Sequence, residues 1–184
     1  MAAEGRTRRQ QEILDAARDI LVRDGVEALS VGRLAQALGI KPPSLYKHFD
    51  GKRAIEVALI ADGLADFATA LEHAGPGLAD VAAAYRAFAL ANPERYRLMT
   101  ERPLPRDELP EGLDARAAAP VLAAVPDPDL ARAAWAFAHG MVTLELAGRF
   151  PPGADLSAAW RKAVERFGDP GGPTRNWDLR PPSG

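Results

Sequence analysis

Apolar residues recur along this chain at the three- and four-residue intervals of one helix face, and nowhere in the strict alternation of a strand. Over 6–24, Ile13, Leu14, Ala17, Ile20 and Leu21 make one stripe, and Gly25 supplies a stop. Ser30 then stands where its hydroxyl can accept from the free amides of a second helix. Val31, Leu34, Ala35 and Leu38 form that helix's inward face, and Gly39 ends it. Ile40 opens a third element, a helix predicted over 43–49 and bounded by Pro42 and Pro43. Proline is tolerated at a helix start because that amide has no intrahelical partner. Seven residues make a rod of roughly 10 Å, too short to hold without neighbours. Asp50-Gly51 breaks it, and a long helix is predicted over 52–73. Further helices are predicted over 77–91, 94–101, 114–124, 128–148 and 156–167. Gly75-Pro76, Asn92-Pro93, the proline-rich 103–110, Pro126-Asp127-Pro128 and Pro151-Pro152-Gly153 separate them. The tail from Asp169 onward, rich in Gly, Pro and Arg, is expected to be poorly ordered. Alanine, the strongest helix former, occurs 37 times. The expected fold is all-α.

Composition removes several classes of chemistry. Zero cysteines exclude disulfides, thiolate catalysis and cysteine zinc sites, and 3 histidines make a multi-histidine metal centre a poor fit. No cofactor is expected. The most apolar long stretch, 130–148, carries Arg132, His139 and Glu145 and falls short of the ~20 apolar residues of a membrane span. Without an apolar segment at the N-terminus, a cytoplasmic location is expected. The net charge of −2 is unevenly spread: residues 1–53 carry 10 Lys and Arg against 7 Asp and Glu, and residues 54–184 carry 13 against 18. A mildly basic front on an acidic body directs any anionic partner to a local patch on the first third.

That patch lies within 30–53, SVGRLAQALGIKPPSLYKHFDGKR. A short helix, a glycine-containing turn and a second short helix make a helix-turn-helix. Ala35 is small where the helices cross, Gly39 suits a tight left-handed turn, and Ile40 and Leu45 point toward the stripe of the first helix. Lys41, Pro42, Ser44, Tyr46, Lys47 and His48 remain outward, and a major groove about 12 Å wide admits such a helix.

Leu34-Ala35-Gln36-Ala37-Leu38-Gly39-Ile40, followed by Ser44-Leu45-Tyr46-Lys47-His48-Phe49-Asp50-Gly51-Lys52, resembles the signature of the TetR (tetracycline-repressor-like) family of bacterial transcriptional regulators. The match covers 9–60. A second, local likeness, PERYRLM at 93–99 with WAFAHG at 135–140, is similar to a subgroup whose C-terminal domain carries a Trp…His-Gly pattern. The resemblance implies that Tyr46 sets its ring against a thymine methyl or a nearby phosphate. It places Lys41, Pro42 and Ser44 in base-facing slots and Lys47, His48 and Lys52 at phosphates, while Ser30 and Arg33 flank the DNA backbone. Gly32 departs from the pattern, because some members place there an arginine that reaches a guanine. Taken singly, Tyr46 could be a half-exposed aromatic, His48 a helix-end hydrogen bonder and the lysines an ordinary solvated face. Arg6, Arg8 and Arg9 read either as a frayed terminus or as an arm reaching a groove.

The domain organisation expected from these readings is a helix-turn-helix DNA-binding domain over 1–51, a helical ligand-binding and dimerisation bundle over 52–168, and a disordered tail over 169–184. One helix-turn-helix presents too little surface for selective binding, so a homodimer on a palindromic operator of double-stranded DNA is expected. The family pairs its last two long helices, here 128–148 and 156–167, with Ala131, Ala134, Ala138, Thr143 and Ala147 as close-approach positions. The middle helices are expected to enclose a pocket for a small apolar or aromatic effector, lined by Phe67, Tyr85, Phe88, Tyr96, Met99, Trp135 and His139. Any one of these could equally be core, and His73 reads as structural. The expected function is a ligand-responsive regulator, in the family's commoner mode a repressor. The second reading is a helical partner-binding protein without selective operator binding. An enzyme is not expected, since no G-x-S-x-G, phosphate loop or metal-ligand cluster occurs.

Overall fold

The protein, described as a computed structural model over residues 5–168, is built of nine α-helices among those residues. They are α1 (Arg8–Asp24), α2 (Val31–Ala37), α3 (Pro42–Leu45), α4 (Gly51–Glu72), α5 (Leu78–Ala91), α6 (Pro93–Thr100), α7 (Leu113–Ala124), α8 (Pro128–Leu146) and α9 (Leu156–Gly168), with 3-10 turns at Val26–Ala28 and Arg106–Glu108. The tail from Asp169 lies outside the described residues.

Local chemistry sets most of the boundaries. Thr7 begins α1 through a capping box: its hydroxyl accepts from the Gln10 amide, and the Gln10 side chain accepts from the Thr7 amide. Ser30 caps α2 by accepting from the Arg33 amide at 3.2 Å. The turn after α2 is a Schellman closure. Gly39, at φ +63°, donates to the Gln36 carbonyl, and Ile40 donates back to Ala35 at 2.9 Å. Asp127 caps α8, accepting from the Asp129 and Leu130 amides.

One boundary differs from expectation. The third helix spans only Pro42–Leu45, and residues 46–49 continue as turns. His48 donates to the Leu45 carbonyl in a three-residue turn, and Gln10 of α1 donates to the His48 carbonyl at 3.2 Å. That carbonyl is thus taken by another helix.

The stripe of α1 packs on Leu29, Leu34, Ala35, Leu45, Ile55 and Leu59, making the core of a small three-helix head. Helix α4 leaves this head and continues for 22 residues, about 33 Å, into the body. Ile55, Leu59, Ile60, Leu64, Phe67, Ala68 and Leu71 are buried along its length against α1, α5, α6 and α7. Helix α6 crosses it closely. At Gly63 an added Cβ would lie 2.6 Å from Met99 Sδ, so any side chain there would push the Met99 thioether aside.

Helix α8 corrects the expected close-approach face. Ala131, Ala134 and Ala138 are buried inside the chain with Val142, whereas Thr143 and Ala147 face out. At 100° per residue the five positions fall on two different faces, and the first three are held by the body's own core. A buried pin joins α5, α8 and α9. Glu145, 6% exposed, accepts from Arg86 Nε and Nη2 at 2.8–3.1 Å and from Trp160 Nε1 at 2.7 Å. Removing the carboxylate strands a part-buried guanidinium and an indole N–H, so Glu145→Ala is expected to destabilise the fold by about 3 kcal/mol. Thermal unfolding by circular dichroism should show a midpoint lower by roughly 6–12 °C; an unchanged midpoint would remove the pin from the account.

Candidate nucleic-acid interface and aromatic cluster

The head turns one face to solvent. Lys41 precedes the first turn of α3, Pro42 occupies that turn, and Tyr46 follows the helix with 58% of its surface exposed. The Tyr46 ring lies over the start of α4, its Cε1 4.0 Å from where a Cβ would stand on Gly51. Lys47 is exposed beside it, and Ser44 and His48 are half-buried. No carboxylate among the described residues comes within ion-pair distance of Lys41 or Lys47. The cations flanking α3 are engaged instead: Arg33 donates to Asp24 at 2.6 Å, and Lys52 Nζ lies 3.3 Å from Glu56. Ser30 uses its oxygen lone pair as a cap and keeps its hydroxyl proton for another acceptor. Gly32 is exposed, with open space where a side chain would stand.

The N-terminal arginines divide. Arg6 Nη1 donates to both oxygens of Asp62 at 2.8 Å, and Arg18 adds a third bond at 3.3 Å. Arg6 is therefore a strut between the start of α1 and the middle of α4, neither frayed nor an arm. Arg8 and Arg9 both bond Glu12 and hold its carboxyl below the usual carboxylate range, Arg9 contributing most.

In the body, six of the seven side chains expected to line a pocket meet as a packed chain. Phe67 stands edge-on to Tyr85 and Phe88, each at 5.2 Å between ring centroids. Tyr85 and Tyr96 are edge-on at 6.0 Å with their hydroxyls 2.7 Å apart, and the Tyr96 hydroxyl is 2.8 Å from His139 Nδ1. Trp135, 53% exposed, stacks on the outer side of His139 at 6.1 Å. Met99 closes the floor against Gly63. A void of about 30 Å³ between α5, α7, α8 and α9 touches Tyr85 and none of the other six. It has room for about one water. The structure thus brings six of the seven together in contact rather than around an effector-sized space, with Met99 packed on Gly63. Burial pushes the Tyr85 hydroxyl up to about 12, with Tyr96 and Trp135 partly offsetting. Tyr96 is raised further, by its burial first and then by Tyr85.

Residues 13–59 match the family described as bacterial regulatory proteins, tetR family, and residues 78–167 match the tetracyclin repressor-like C-terminal domain. The HTH-type transcriptional regulator Rv0681 of Mycobacterium tuberculosis is 35% identical over 155 residues, covering 76% of this chain and 71% of that protein. The chain belongs to the TetR family. The crystal structure of the regulatory protein SCO4313 superposes with a TM-score of 0.70 at 28% identity, over 86% of this chain and 94% of that one. A TetR variant from Acinetobacter baumannii, solved in complex with minocycline, shares the fold at a TM-score of 0.58 and 23% identity, over 84% and 91% of the two chains.

The protein is accordingly a DNA-binding TetR-family transcriptional regulator, and its relatives are regulators rather than enzymes. Members bind DNA and small-molecule ligands, typically as dimers. No helix among the described residues is long and apolar enough to cross a membrane. Sequence reasoning missed two features of this TetR chain. One is Asp62, whose signal is a lone carboxylate inside the apolar run 57–65 with an arginine-rich N-terminus nearby. The other is Glu56, which lies 3.3 Å from Lys52 and 3.4 Å from Arg102. No local spacing forecasts the second of these contacts.

The tyrosine pair makes stability pH-dependent. Both hydroxyls titrate above the unfolded value of about 10, so the folded chain keeps protons that the unfolded chain releases. The Tyr85 contribution is complete below pH 10 and is lost as the pH rises toward 12, at about 1.4 kcal/mol per pH unit, and that of Tyr96, which is raised further, goes on falling above that window. Urea midpoints should fall steeply across that window, and Tyr85→Phe should fall less steeply. Parallel slopes would contradict the assignment.

Proposed function

We propose that the protein is a ligand-responsive regulator that binds a palindromic operator as a homodimer in the cytoplasm and is released by a small apolar or aromatic effector. The observation that carries the DNA reading is the solvent face of α3. Lys41 and Lys47, which have no ion-pair partner among the described residues, and the exposed Tyr46 flank a helix whose other side is fixed by the head core. In this reading Tyr46 meets a thymine methyl or a phosphate, and Lys41, Pro42 and Ser44 face base edges. Lys47, His48 and Lys52 neutralise phosphates, and Ser30 and Arg33 steady the backbone. Gly32 and the two prolines offer no bidentate group, so selectivity rests on Lys41, Tyr46 and apolar contact. Arg33 must share or leave Asp24 to serve.

Two half-sites require two heads at a spacing of about 34–36 Å. The outer face of α8, with Ala133, Ala136, Gly140, Thr143, Leu144 and Ala147, supports a second copy packing there beside α9. These residues fall on one side of the helix, and Gly140 has open space where a side chain would stand. The effector reading rests on the aromatic chain. Its polar atoms run from Tyr85 through Tyr96 to His139, and Trp135 sits at the solvent end. Parting these rings would open an apolar site with a few hydrogen-bonding tips. The minocycline complex of the Acinetobacter protein supports ligand binding by this fold. Helix α6 carries Tyr96 and Met99 and packs on α4, so displacing the rings shifts the helix that joins body to head.

Footprinting of the wild-type chain on fragments flanking its own gene is expected to protect an inverted repeat. Tyr46→Ala should lose that protection while keeping helical content and dimer. Protection of no repeat at all would sink the operator reading. Separately, Gly140→Arg places a charge in the α8 face and should convert the dimer to monomers in sedimentation at micromolar concentration. An undisturbed dimer would move the interface elsewhere.

A further inference from the structure

Lys52, the lysine read above as a phosphate contact at the start of α4, is held in the free protein. Its Nζ lies 3.3 Å from Glu56 Oε1, one turn further along the helix. The same oxygen accepts from Arg102 Nη1 at 3.4 Å, and Arg102 Nη2 donates to Glu27 Oε1 at 2.6 Å. Glu27 belongs to the head, in the turn after α1. Arg102 belongs to the body, in the segment that leaves α6. Glu56 is 14% exposed, so it sits in the seam with little water to replace a lost cation.

We propose that Glu56 is a positioning residue for DNA binding: one carboxylate oxygen contested by Lys52 and Arg102, so that the placement of Arg102 decides how freely Lys52 can turn to a phosphate. The inference rests on the reading of Lys52 as a phosphate contact. A carboxylate this nearly buried keeps at least one cation, because stranding it is strongly unfavourable. With Arg102 in place, Lys52 can leave for a phosphate and Glu56 remains paired. With Arg102 drawn away by a movement of α6, Lys52 is the one ion-pair partner left among the described residues and is retained. Linkage makes the effect reciprocal. DNA that captures Lys52 leaves Glu56 to Arg102 and pulls the end of α6 onto the head, so the joint senses both events without Arg102 touching DNA.

Phosphate neutralisation is blind to sequence, so a fluorescein-labelled mixed-sequence duplex suffices as probe, titrated by anisotropy with the full chain across a salt series. Arg102→Gln is expected to weaken binding about threefold, the size of one exposed ion pair. It should also flatten the salt slope toward that of Lys52→Ala, which itself loses about 0.9 in slope. In a Glu56→Gln background, Arg102→Gln should have no further effect beyond the small uniform loss from its charge, and Arg102→Lys should recover the wild-type slope. Glu27→Gln should leave the slope unchanged. Thermal midpoints of all variants identify any that fail to fold, and Arg102→Met, which also removes the cation, stands in for Arg102→Gln should that variant be among them. An Arg102→Gln loss of equal size in the wild-type and Glu56→Gln backgrounds, or no loss while Lys52→Ala does weaken binding, overturns the inference alone. A Lys52→Ala chain with unchanged affinity and slope overturns the phosphate reading on which it rests.

Discussion

Helix α4 has to satisfy two cores at once: its first turns seal the three-helix head, its later turns are wrapped by α5, α6 and α7, and it has almost no polar face left. A helix apolar on nearly all sides is stable only when fully enclosed. Its few charged positions are therefore where the rest of the molecule must supply partners. Asp62 receives Arg6 and Arg18, Asp66 receives Arg95, and Glu56 receives Lys52 and Arg102. Each of these pairs crosses from α4 to another element or sits at the seam. Head and body are joined by a continuous rod whose surroundings fix its rotation as well as its direction.

That arrangement explains why function and stability separate along the chain. The proposed recognition surface consists of a helix of four residues and its following turn, held from behind by Leu45, the Gly39 closure and the Gln10–His48 bond. Nothing on its outward side contributes to the core, so those positions can be tuned to a DNA sequence without penalty to the fold. In the body the order is reversed. The side chains assigned to the effector in the proposed reading also fill the interior, so under that reading a ligand has to displace packing.

Much of this was legible in advance, because short-range chemistry dictated it. Ser30, Gly39, Gly51 and Pro128 each mark a boundary through their own backbone or capping preference, and the α1 stripe follows from periodicity alone. The family signature at 34–52 is likewise local. What the sequence concealed depended on contacts between distant elements. The third helix stops at Leu45, whose carbonyl accepts from both His48 and Phe49, and the turn that follows is tied to another helix through the bond from Gln10 to the His48 carbonyl. Ala131, Ala134 and Ala138 turn inward because α8 is packed by the body on that side, a choice that small residues leave open. Arg6 is tied down because Asp62 approaches it from fifty-six positions away. The aromatic residues lie against one another in the body, and whether such rings surround a space or fill it is decided by orientations that no pattern encodes.

The Tyr85–Tyr96–His139 chain carries one last consequence. A phenol has a single proton to give, and Tyr96 has two partners within bonding distance. It must donate to one and accept from the other. If it donates to His139, the imidazole carries its hydrogen on the far nitrogen, and Tyr85 points its own proton inward to Tyr96. If it accepts from His139, both phenolic protons reverse. The tautomer at the rim thus dictates the orientation of two dipoles deep in the interior.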